Sequence, residues 1–399
     1  MKKLFCRTFQ LGMKIGNYVM PYRMPEYIEG AGCIEKLPAW IKEKNIKNVL
    51  IVTDKKLMSM GLLDSMLKAM EKEDIRYSIF DEIEPNPNDI DVEKGYKIFS
   101  ENKCKAIVAF GGGSPMDCAK AIGAKAVKPH KTVAELQGLL KVLKKTPPLF
   151  AVPTTSGTGS ETTVAAVITD SKTHHKASIN DPVLIPEYAV LDPVLTVGLP
   201  PYITAITGMD ALCHAVESYT NHTYCTETEN RLAKEAVKLI FENLYEAYQN
   251  GENLDARANM QKAALFAGRS FTRGCVGYVH AIGHTLGGLY GIPHGLAMSV
   301  ILPHVMKKYG TSAEKRLAEL ADFCGIGGNS DSEKAAVFIA KIEDMNEKMG
   351  LPKGFDVIRS EDIPKMIKWA DTEANPLYPV PEIWDKKDFC ELIENITLK

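Results

Sequence analysis

In the first half of the chain, short runs of aliphatic and β-branched residues alternate with helical patterns. The apolar runs are "KNVLIVTD" (47–54), "YSIFDEI" (77–83) and "KAIVAF" (105–110). The helical patterns between and after them are "GLLDSMLKAMEKED", "DVEKGYKIFSENK" and "MDCAKAIGAKAV". A strand, helix, strand repeat is typical of a parallel sheet with helices on both faces. We therefore predict an α/β fold for the N-terminal half.

After Pro200 the pattern changes, because helical periodicity dominates and clear strand runs stop. In "NRLAKEAVKLIFENLYEAYQNG" (230–251) the apolar residues recur at spacings of three and four, and Asn-Gly marks the helix end. Similar patterns occupy "LDARANMQKAALFAGRSF", "SAEKRLAELADFCG" and "SEKAAVFIAKIEDMNEKMG". The Pro- and Gly-rich segment 191–204 separates the two halves. We predict an α/β domain over 1–197 and an all-helical domain over 198–399.

Composition narrows the classes of protein. The formal net charge of −2 gives nucleic acid or an anionic membrane no broad electrostatic reason to bind. The N-terminal segment has no continuous apolar core of a signal peptide, and no stretch reaches transmembrane length. The nine cysteines include no Cys-x-x-Cys pair, which disfavours a disulfide framework and a Cys-rich zinc lobe. We expect a reduced, cytoplasmic protein that acts on a small molecule.

A glycine loop follows the strand "KAIVAF". In "GGGSPMDCAK" (111–120), Ser114 is predicted as the N-cap, Pro115 as the first helical residue and Asp117 as the acidic member of a capping box. Backbone N–H groups and the positive end of the helix dipole would then face a phosphate above the glycines. The loop is not Gly-x-Gly-x-x-Gly, so a tight strand-to-helix turn explains it equally well when it is taken alone.

A second loop of small residues supports the phosphate interpretation. "VPTTSGTGSE" (152–161) follows the apolar run "PLFAV" and offers the hydroxyls of Thr154, Thr155 and Thr158. Two such loops, each after a strand, favour a dinucleotide site. Asp54 ends another strand and could accept the ribose hydroxyls of NAD while repelling the extra phosphate of NADP, although it could also cap the next helix.

Histidines and an aspartate form a second constellation. Asp210 and His214 in "GMDALCHAVESY" (208–219) stand one helical turn apart, and His280 and His284 repeat that spacing. His294 follows "TLGGLYG", which we predict to be a glycine-rich bend that turns the chain back. Three or four N and O ligands from two helices and a turn suit a divalent catalytic metal with one position left for substrate.

Two other interpretations of the histidines are weaker. "HAIGH" lacks the glutamate of the His-Glu-x-x-His zinc proteases, because Ala281 stands in the place of the general base. The remaining histidines are predicted to be surface residues or, for His304, a satisfied core residue. The surface set consists of His130, His174, His175 and His222.

The chain resembles the iron-containing (group III) alcohol dehydrogenases in "GGGSPMDCAK", "PTTSGTGSE", "GMDALCHAVESY" and "HAIGHTLGGLYGIPHG". The resemblance implies a dehydroquinate synthase-like architecture, with an α/β dinucleotide-binding domain, an all-α metal-binding domain and a cleft between them. It also implies a homodimer or higher homo-oligomer. Residues 1–22 precede the family's usual first strand, and we hypothesise that they pack at a subunit contact.

Matched residue by residue, the resemblance assigns roles to particular side chains. The implied metal ligands are Asp210, His214, His280 and His294. His284 is left beside substrate and nicotinamide as a proton relay, and Phe271 lines the substrate pocket. The implied coenzyme contacts are Asp54, Gly112, Gly113, Ser114, Asp117, Thr154, Thr155, Thr158 and Lys176.

The expected activity is hydride transfer between NAD(H) and a short aliphatic alcohol, diol or aldehyde, with NADP less favoured. The metal would act as a Lewis acid on the alcohol oxygen. Ferrous iron or zinc fits the ligand set, since intrinsic affinity does not disfavour zinc. The alternatives are an enzyme similar to dehydroquinate synthase or glycerol dehydrogenase, and a non-catalytic nucleotide sensor. For the synthase, the segment before His280 offers chiefly Arg269 and Arg273 to an anionic substrate.

Overall fold

Residues 1–172, 176–221 and 223–398 are described in the computed structural model of the protein, and their contacts divide the chain into two units. The first, here called the sheet unit, comprises 21–199 together with 252–265. The second, the helical unit, comprises 1–20, 200–251 and the chain from Phe266 onward. The units are therefore not continuous in sequence, since each takes in a segment that lies apart from its main part.

Strands lie in the sheet unit. Within the described residues they are β1 Glu26–Glu29, β2 Asn48–Val52, β3 Arg76–Phe80, β4 Ala106–Gly111, β5 Gly138–Leu139, β6 Leu149–Pro153, β7 Ala165–Thr169, β8 Lys176–Asn180 and β9 Tyr188–Leu191. Six strands form one sheet in the order β1-β9-β6-β4-β2-β3, and every neighbouring pair is parallel. The other three form a small mixed sheet in the order β5-β8-β7. The predicted parallel α/β fold is confirmed.

Helices occupy both units. In the described residues they are α1 Lys2–Val19, α2 Leu37–Glu43, α3 Lys55–Ser59, α4 Asp64–Lys72, α5 Asp89–Glu101, α6 Gly113–Val127, α7 Val133–Leu136, α8 Pro201–Asn221, α9 Glu227–Gln249, α10 Leu254–Gly274, α11 Tyr278–Tyr290, α12 His294–Tyr309, α13 Thr311–Phe323, α14 Asp331–Lys348, α15 Ile363–Ala374 and α16 Lys386–Asn395. From Pro200 onward, regular structure in the described chain is helical, apart from an isolated bridge between Phe355 and Thr397. The predicted all-helical C-terminal half is confirmed.

The large sheet is buried on both faces. In β2, Val49 and Ile51 belong to one hydrophobic core, while Leu50 and Val52 belong to a second. Side chains alternate along a strand, so these four apolar residues must point to opposite faces. A strand without a polar face requires cover on both sides, and helices that connect parallel strands provide it.

Residues 1–22 contain helix α1, in the helical unit. Cys6, Gln10 and Asn17 are buried. The exposed large apolar residues of this helix are Leu4, Phe5, Phe9, Leu11, Ile15, Tyr18 and Val19. The helix therefore packs through a partly polar face and leaves apolar side chains outside. No helix in the described part of the chain is both long enough and apolar enough to cross a membrane.

The buried Asp192 carboxylate connects distant parts of the sheet unit, and its loss should destabilise that unit. Its Oδ1 accepts hydrogen bonds from the backbone N–H groups of Gly32 and Val194, and its Oδ2 accepts one from Ile34, each at 3.1 Å. Asp192→Ala leaves these donors without that acceptor, so we expect the free energy of unfolding to fall by about 2 to 4 kcal/mol. Urea unfolding followed by circular dichroism measures the change.

The matched control is Glu43→Ala, which removes an exposed carboxylate from α2. It should shift the unfolding free energy by no more than about 0.5 kcal/mol. Equal stability of Asp192→Ala and Glu43→Ala would contradict the role given to Asp192.

Candidate metal and coenzyme site

One carboxylate and three imidazoles meet in the helical unit. Asp210 and His214 lie one turn apart in α8, His280 lies in α11, and His294 is the first residue of α12. The Nε2 atoms of His214, His280 and His294 lie 3.8, 3.9 and 3.4 Å from Asp210 Oδ1. One ligand atom from each of the four residues lies within 4.8 Å of every other. The arrangement offers three nitrogens and one oxygen to a single cation.

The protonation states suit a cation. Burial alone would raise the pKa of the Asp210 carboxyl, but the surrounding imidazoles outweigh burial and hold that pKa well below its usual range. Burial lowers the pKa of His214 to about 3 and holds the pKa of His280 well below its usual value. At neutral pH these side chains are therefore an ionised carboxylate and neutral imidazoles, the forms that bind metal.

Buried atoms without partners support the same fit. Among the described residues, Asp210 Oδ1 and His280 Nε2 are buried and lack a hydrogen-bond partner. Buried polar atoms in proteins are nearly always satisfied, and an unsatisfied buried charge is costly. A divalent cation between these atoms would satisfy both, so the residues present fit a metal ion.

The chain reaches His294 through a shorter turn than the sequence suggested. The predicted glycine-rich bend over 285–291 is wrong, because residues up to Tyr290 continue α11 and the chain turns at Gly291, which has a φ of +68°. The turn is followed at once by α12. A Cβ on Gly295 would lie 2.2 Å from the carbonyl oxygen of Ile206 in α8. The glycine thus permits the close approach of α12 to α8 that carries His294 to Asp210.

Glu217, which sequence reasoning missed, supports the cluster from behind. Its Oε1 accepts a hydrogen bond from Val279 N at 2.8 Å, and its Oε2 lies 2.5 Å from His280 Nδ1. Burial raises the pKa of Glu217 to about 7. In its ionised form the carboxylate accepts from Nδ1 and leaves Nε2 with a lone pair facing Asp210. The signal was available, because Glu217 follows Asp210 by seven residues and His214 by three, and so shares their helix face.

A second group of donors, formed by Cys213, Glu217 and His280, also lies within 4.8 Å. Glu217 and His280 are already joined to each other. Burial raises the pKa of the Cys213 thiol well above its usual value, so the thiol stays protonated and is a poor ligand. This group therefore orients His280 and is not a separate metal centre.

His284 lies outside the four-residue cluster but beside it. Its side chain is 44% exposed, and its ring stacks on that of His294 with centroids 5.3 Å apart. Its Nδ1 lies 2.8 Å from Glu373 Oε1, which also accepts a hydrogen bond from the Tyr378 hydroxyl at 3.0 Å. Burial would raise the pKa of Glu373, but His284 and Tyr378 outweigh it and lower that pKa. Glu373 and Tyr378 follow His284 by about ninety residues, so spacing offered no signal.

The remaining sequence-predicted aromatic and histidine residues are placed as follows. The ring of Phe271 stacks on the ring of His214 with centroids 4.1 Å apart. His304 is partly buried, and burial lowers its pKa, while His130 is exposed. The predictions for His174, His175 and His222 concern positions outside the described residues.

In the sheet unit, the two small-residue loops lie side by side. Thr154 N donates to the carbonyl oxygen of Gly111 at 3.1 Å, which joins the loop after β6 to the loop after β4. A Cβ on Gly112 would lie 3.3 Å from Thr155 Oγ1, and one on Gly113 would lie 3.0 Å from Thr158 Cγ2. Glycine at these positions therefore leaves the threonines and the backbone in close contact.

The predicted cap of α6 is wrong. The helix begins at Gly113, and its N-cap is Gly112 in an extended conformation, so Ser114 and Pro115 lie inside the first turn. Proline is still tolerated there because its missing N–H would have had no intrahelical partner. No side chain of the described residues caps this helix start. Its first N–H groups are thus open to an anion, as a phosphate site requires.

Asp117 acts on the second loop and does not complete a capping box. Its Oδ1 accepts a hydrogen bond from Ser160 Oγ, and its Oδ2 accepts one from Val167 N, each at 3.1 Å. Lys120, one turn further along α6, was missed by sequence reasoning. Its ammonium donates to Ser160 Oγ at 2.9 Å and to Thr163 Oγ1 at 2.7 Å, and burial lowers its pKa to about 8. Helix α6 therefore fixes the threonine loop through two side chains.

Asp54 and Lys176 both have partners within the sheet unit. Asp54 Oδ1 caps α3 by accepting from Leu57 N at 2.9 Å, and Lys176 Nζ donates to Asn86 Oδ1 at 2.6 Å. Asp54 follows β2, whose neighbours in the sheet are β3 and β4. The connection from β2 leads to β3 on one side, and the connection from β4 leads to β6 on the other, so the chain order reverses between the adjacent strands β2 and β4. Ligands of such sheets bind outside the carboxyl ends of the strands at this kind of switch point.

The fold and the donor cluster together define a class, that of metal-binding enzymes built on a parallel sheet of the dinucleotide-binding type. The family described as "Iron-containing alcohol dehydrogenase" matches residues 25–193, and its C-terminal domain, "Fe-containing alcohol dehydrogenase family, C-terminal", matches residues 204–397. The chain belongs to the iron-containing alcohol dehydrogenase family and is an alcohol oxidoreductase.

Individual relatives agree with this assignment. The chain is 36% identical to an NAD-dependent methanol dehydrogenase of Bacillus methanolicus over 95% of this chain and 99% of that protein. The crystal structure of a 1,3-propanediol oxidoreductase matches with a TM-score of 0.89 and 34% identity, over 94% of this chain and 99% of that one. A sulfoacetaldehyde reductase from Bifidobacterium kashiwanohense, in complex with NAD⁺, matches with a TM-score of 0.84 and 28% identity, over 95% and 98%.

If Glu217 orients His280, weakening the hydrogen bond between them should lower the affinity of the site for metal. Glu217→Gln keeps the size of the side chain but weakens the hydrogen bond to His280 Nδ1, so we expect the dissociation constant for Zn²⁺ to rise by about 10- to 100-fold. Competition with a chromophoric chelator measures the constant. The control is Glu227→Gln in α9, which changes an exposed glutamate. Unchanged zinc affinity in Glu217→Gln would contradict the assigned support.

The backbone at Gly111 should control coenzyme binding. Its φ is +147°, and an added Cβ would lie 2.6 Å from Pro115 Cγ. Gly111→Ala should therefore displace the start of α6 and raise the dissociation constant for NADH about tenfold or more, measured by nicotinamide fluorescence. In Gly123→Ala, the matched control inside α6, the added Cβ would lie 3.6 Å from Thr146 Cβ, an ordinary contact distance, so NADH binding should not change.

Proposed function

We propose that the chain interconverts short aliphatic alcohols or diols and the corresponding aldehydes, with NAD(H) as coenzyme and ferrous iron or zinc as metal. The observation that carries the proposal is the cluster of Asp210, His214, His280 and His294, with its buried unpaired donor atoms. Family membership supplies the reaction class.

In this proposal Asp210, His214, His280 and His294 hold the metal. When bound, the divalent ion supplies Lewis-acid polarisation of the substrate oxygen. The chain's own contribution is to keep the four donor atoms together, to hold His214 and His280 neutral through burial, and to orient His280 through Glu217. Phe271 contacts His214 and lines the substrate side of the cluster, where its apolar ring favours short aliphatic substrates.

The proposed coenzyme residues lie at two strand ends and the loops beside them. The backbone at Gly112, Gly113 and Ser114 faces the phosphates at the start of α6. The hydroxyls of the second loop, on Thr154, Thr155 and Thr158, hold ribose or phosphate oxygens. Asp117 acts through Ser160, and Lys176 contributes from β8.

The preference for NAD over NADP depends on Asp54. In the proposed complex this carboxylate accepts the ribose hydroxyls and repels the 2′-phosphate of NADP. Its bond to Leu57 N uses Oδ1 and leaves lone pairs on Oδ2 for a hydroxyl. The NAD dependence of the methanol dehydrogenase relative supports the same preference.

His284 moves the substrate proton in this proposal. With Nδ1 donating to Glu373, the neutral ring has its lone pair on Nε2 and can take the proton that leaves the alcohol oxygen. Its half-exposed ring gives that proton a path to solvent. In the reverse direction His284 returns a proton to the reduced aldehyde.

We also propose that residues 1–197 bind the coenzyme and residues 198–399 bind the metal. We further propose that the protein is cytoplasmic and forms a homodimer or a higher homo-oligomer. All nine cysteines lie in the described chain and none forms a disulfide, which supports a reducing compartment. The net charge of −2 supports a small-molecule substrate and no nucleic-acid or membrane partner.

The pairing of two arginines with a glutamate argues against the dehydroquinate synthase-like alternative. Arg269 Nη1 lies 2.7 Å from Glu229 Oε1, and Arg273 Nε lies 3.2 Å from the same oxygen. Both guanidinium groups are nearly buried. Both guanidinium groups are therefore paired with the Glu229 carboxylate, which disfavours a role in binding an anionic substrate.

A coupled substrate panel tests the function. Separate samples of the protein are reloaded with Fe²⁺ or with Zn²⁺. Each sample is assayed in the reductive direction with NADH or NADPH and C1 to C6 aldehydes, and in the oxidative direction with NAD⁺ and the matching alcohols and diols. The readout in both directions is the change in absorbance at about 340 nm. We expect NADH oxidation with short aldehydes. Coenzyme binding without any substrate-dependent change in absorbance would support the sensor alternative, and turnover without net consumption of NAD would support the lyase.

A substitution at His284 can test its proposed role in proton transfer separately from metal binding. In His284→Ala we expect kcat to fall by about 100-fold, because the proton must then leave without a positioned base. Metal content, measured by atomic emission, should match that of the wild type, since the four-residue cluster is intact. Loss of metal in this variant would refute the assignment. His130→Ala, which alters an exposed histidine, serves as the control.

A further inference from the structure

Helix α1 donates hydrogen bonds to a proline-rich segment of the helical unit, residues 375–384, "NPLYPVPEIW". Gln10 is 1% exposed, and its Nε2 donates to the carbonyl oxygens of Pro376 and Tyr378 at 3.2 and 2.8 Å. One amide therefore holds two points of the segment main chain.

Two cations of α1 continue the same contact. The guanidinium of Arg7 donates to the carbonyl oxygens of Val380 and Pro381 at 2.9 and 2.8 Å, and also to Gln10 Oε1 at 2.8 Å. Lys2 Nζ donates to the carbonyl oxygen of Trp384 at 3.0 Å. Arg7 thereby orients the Gln10 amide as well as holding the segment itself.

The proline-rich segment depends on these donors. Prolines at 376, 379 and 381 lack a backbone N–H, and the segment forms neither helix nor strand. Its carbonyl groups therefore need partners from elsewhere, because backbone polar groups in a packed protein are nearly always satisfied. Helix α1 provides partners for five of them.

The same segment carries the side chain that orients the candidate proton relay. Gln10 holds the Tyr378 main chain, and the Tyr378 hydroxyl donates to Glu373 Oε1 at 3.0 Å. That oxygen accepts from His284 Nδ1 at 2.8 Å. Hydrogen bonds thus connect the first turns of the chain to His284 through one tyrosine and one glutamate.

Helix α1 lies outside the family match. The family match begins at residue 25, after the end of α1. The proline-rich segment lies inside the C-terminal family match over residues 204–397. The contact therefore joins a helix outside the family match to a segment within it.

We propose that Gln10 and Arg7 are positioning residues for His284. They hold the proline-rich segment so that Tyr378 and Glu373 fix the His284 ring with Nδ1 as donor and Nε2 toward the substrate. The inference rests on the proposed function, because it gives His284 a task in proton transfer. Loss of these donors lets the segment shift, and a shift of this kind slows proton transfer without removing the metal or the coenzyme.

A double-mutant cycle in the full-length protein tests the proposal. Gln10→Ala and Glu373→Gln should each lower kcat by about tenfold, because a small misplacement of a reacting group is costly. The double variant should be no slower than the slower single variant, because both changes interrupt the same connection. KM, NADH affinity and metal content should stay within twofold of the wild type. Lys14→Ala, an exposed change on the same helix, should leave kcat unaltered.

A merely structural α1 predicts different results. Gln10→Ala would then lower the melting temperature but leave kcat unchanged below it, or the two changes would multiply in the double variant. Either result overturns the proposal while the wild type still oxidises alcohol.

A second readout does not depend on activity. Long-range ¹H–¹⁵N spectra of ¹⁵N-histidine protein, assigned with His284→Ala, should show the Nδ1–H tautomer of His284 in the wild type and a mixture of tautomers in Gln10→Ala. An inactive wild type would refute the proposed function, whereas identical tautomers in both proteins would refute the positioning role.

Discussion

A buried carboxylate surrounded by three imidazoles is the constraint around which the helical unit is organised. Asp210 is 3% exposed, and three Nε2 atoms lie within 4 Å of its Oδ1. An ionised group in such surroundings is costly unless a positive charge meets it. The close packing at Gly295 and the short turn at Gly291 bring the last imidazole to that carboxylate.

Two carboxylates each pair with the Nδ1 atom of a histidine, but the two histidines differ in exposure. Glu217 orients His280, and Glu373 orients His284, each as a partner of Nδ1. His280 is buried, so its free Nε2 faces the candidate cation. His284 is 44% exposed. Burial, not the hydrogen bond at Nδ1, therefore distinguishes the surroundings of the two rings.

In the sheet unit, a single helix, α6, contributes to both small-residue loops. The uncapped start of α6 leaves backbone N–H groups open, while Asp117 and Lys120 from the same helix hold the neighbouring threonine loop. One helix thus presents its own N-terminus and fixes the second loop. A buried lysine is stable here because hydroxyl and carbonyl oxygens surround its ammonium.

The sequence by itself determined the alternation of strands and helices and the helical C-terminal half, because hydrophobic period reports them directly. Spacing indicated a group of candidate donors, and the resemblance to a known family, not spacing, separated His284 from Asp210, His214, His280 and His294. Only the tertiary structure decided which residues stand behind the cluster. Glu373 and Tyr378 are far from His284 in sequence, and Gln10 is farther still, so no periodicity relates them. The cap of α6 also followed packing, since contacts with the second loop override local N-cap preference.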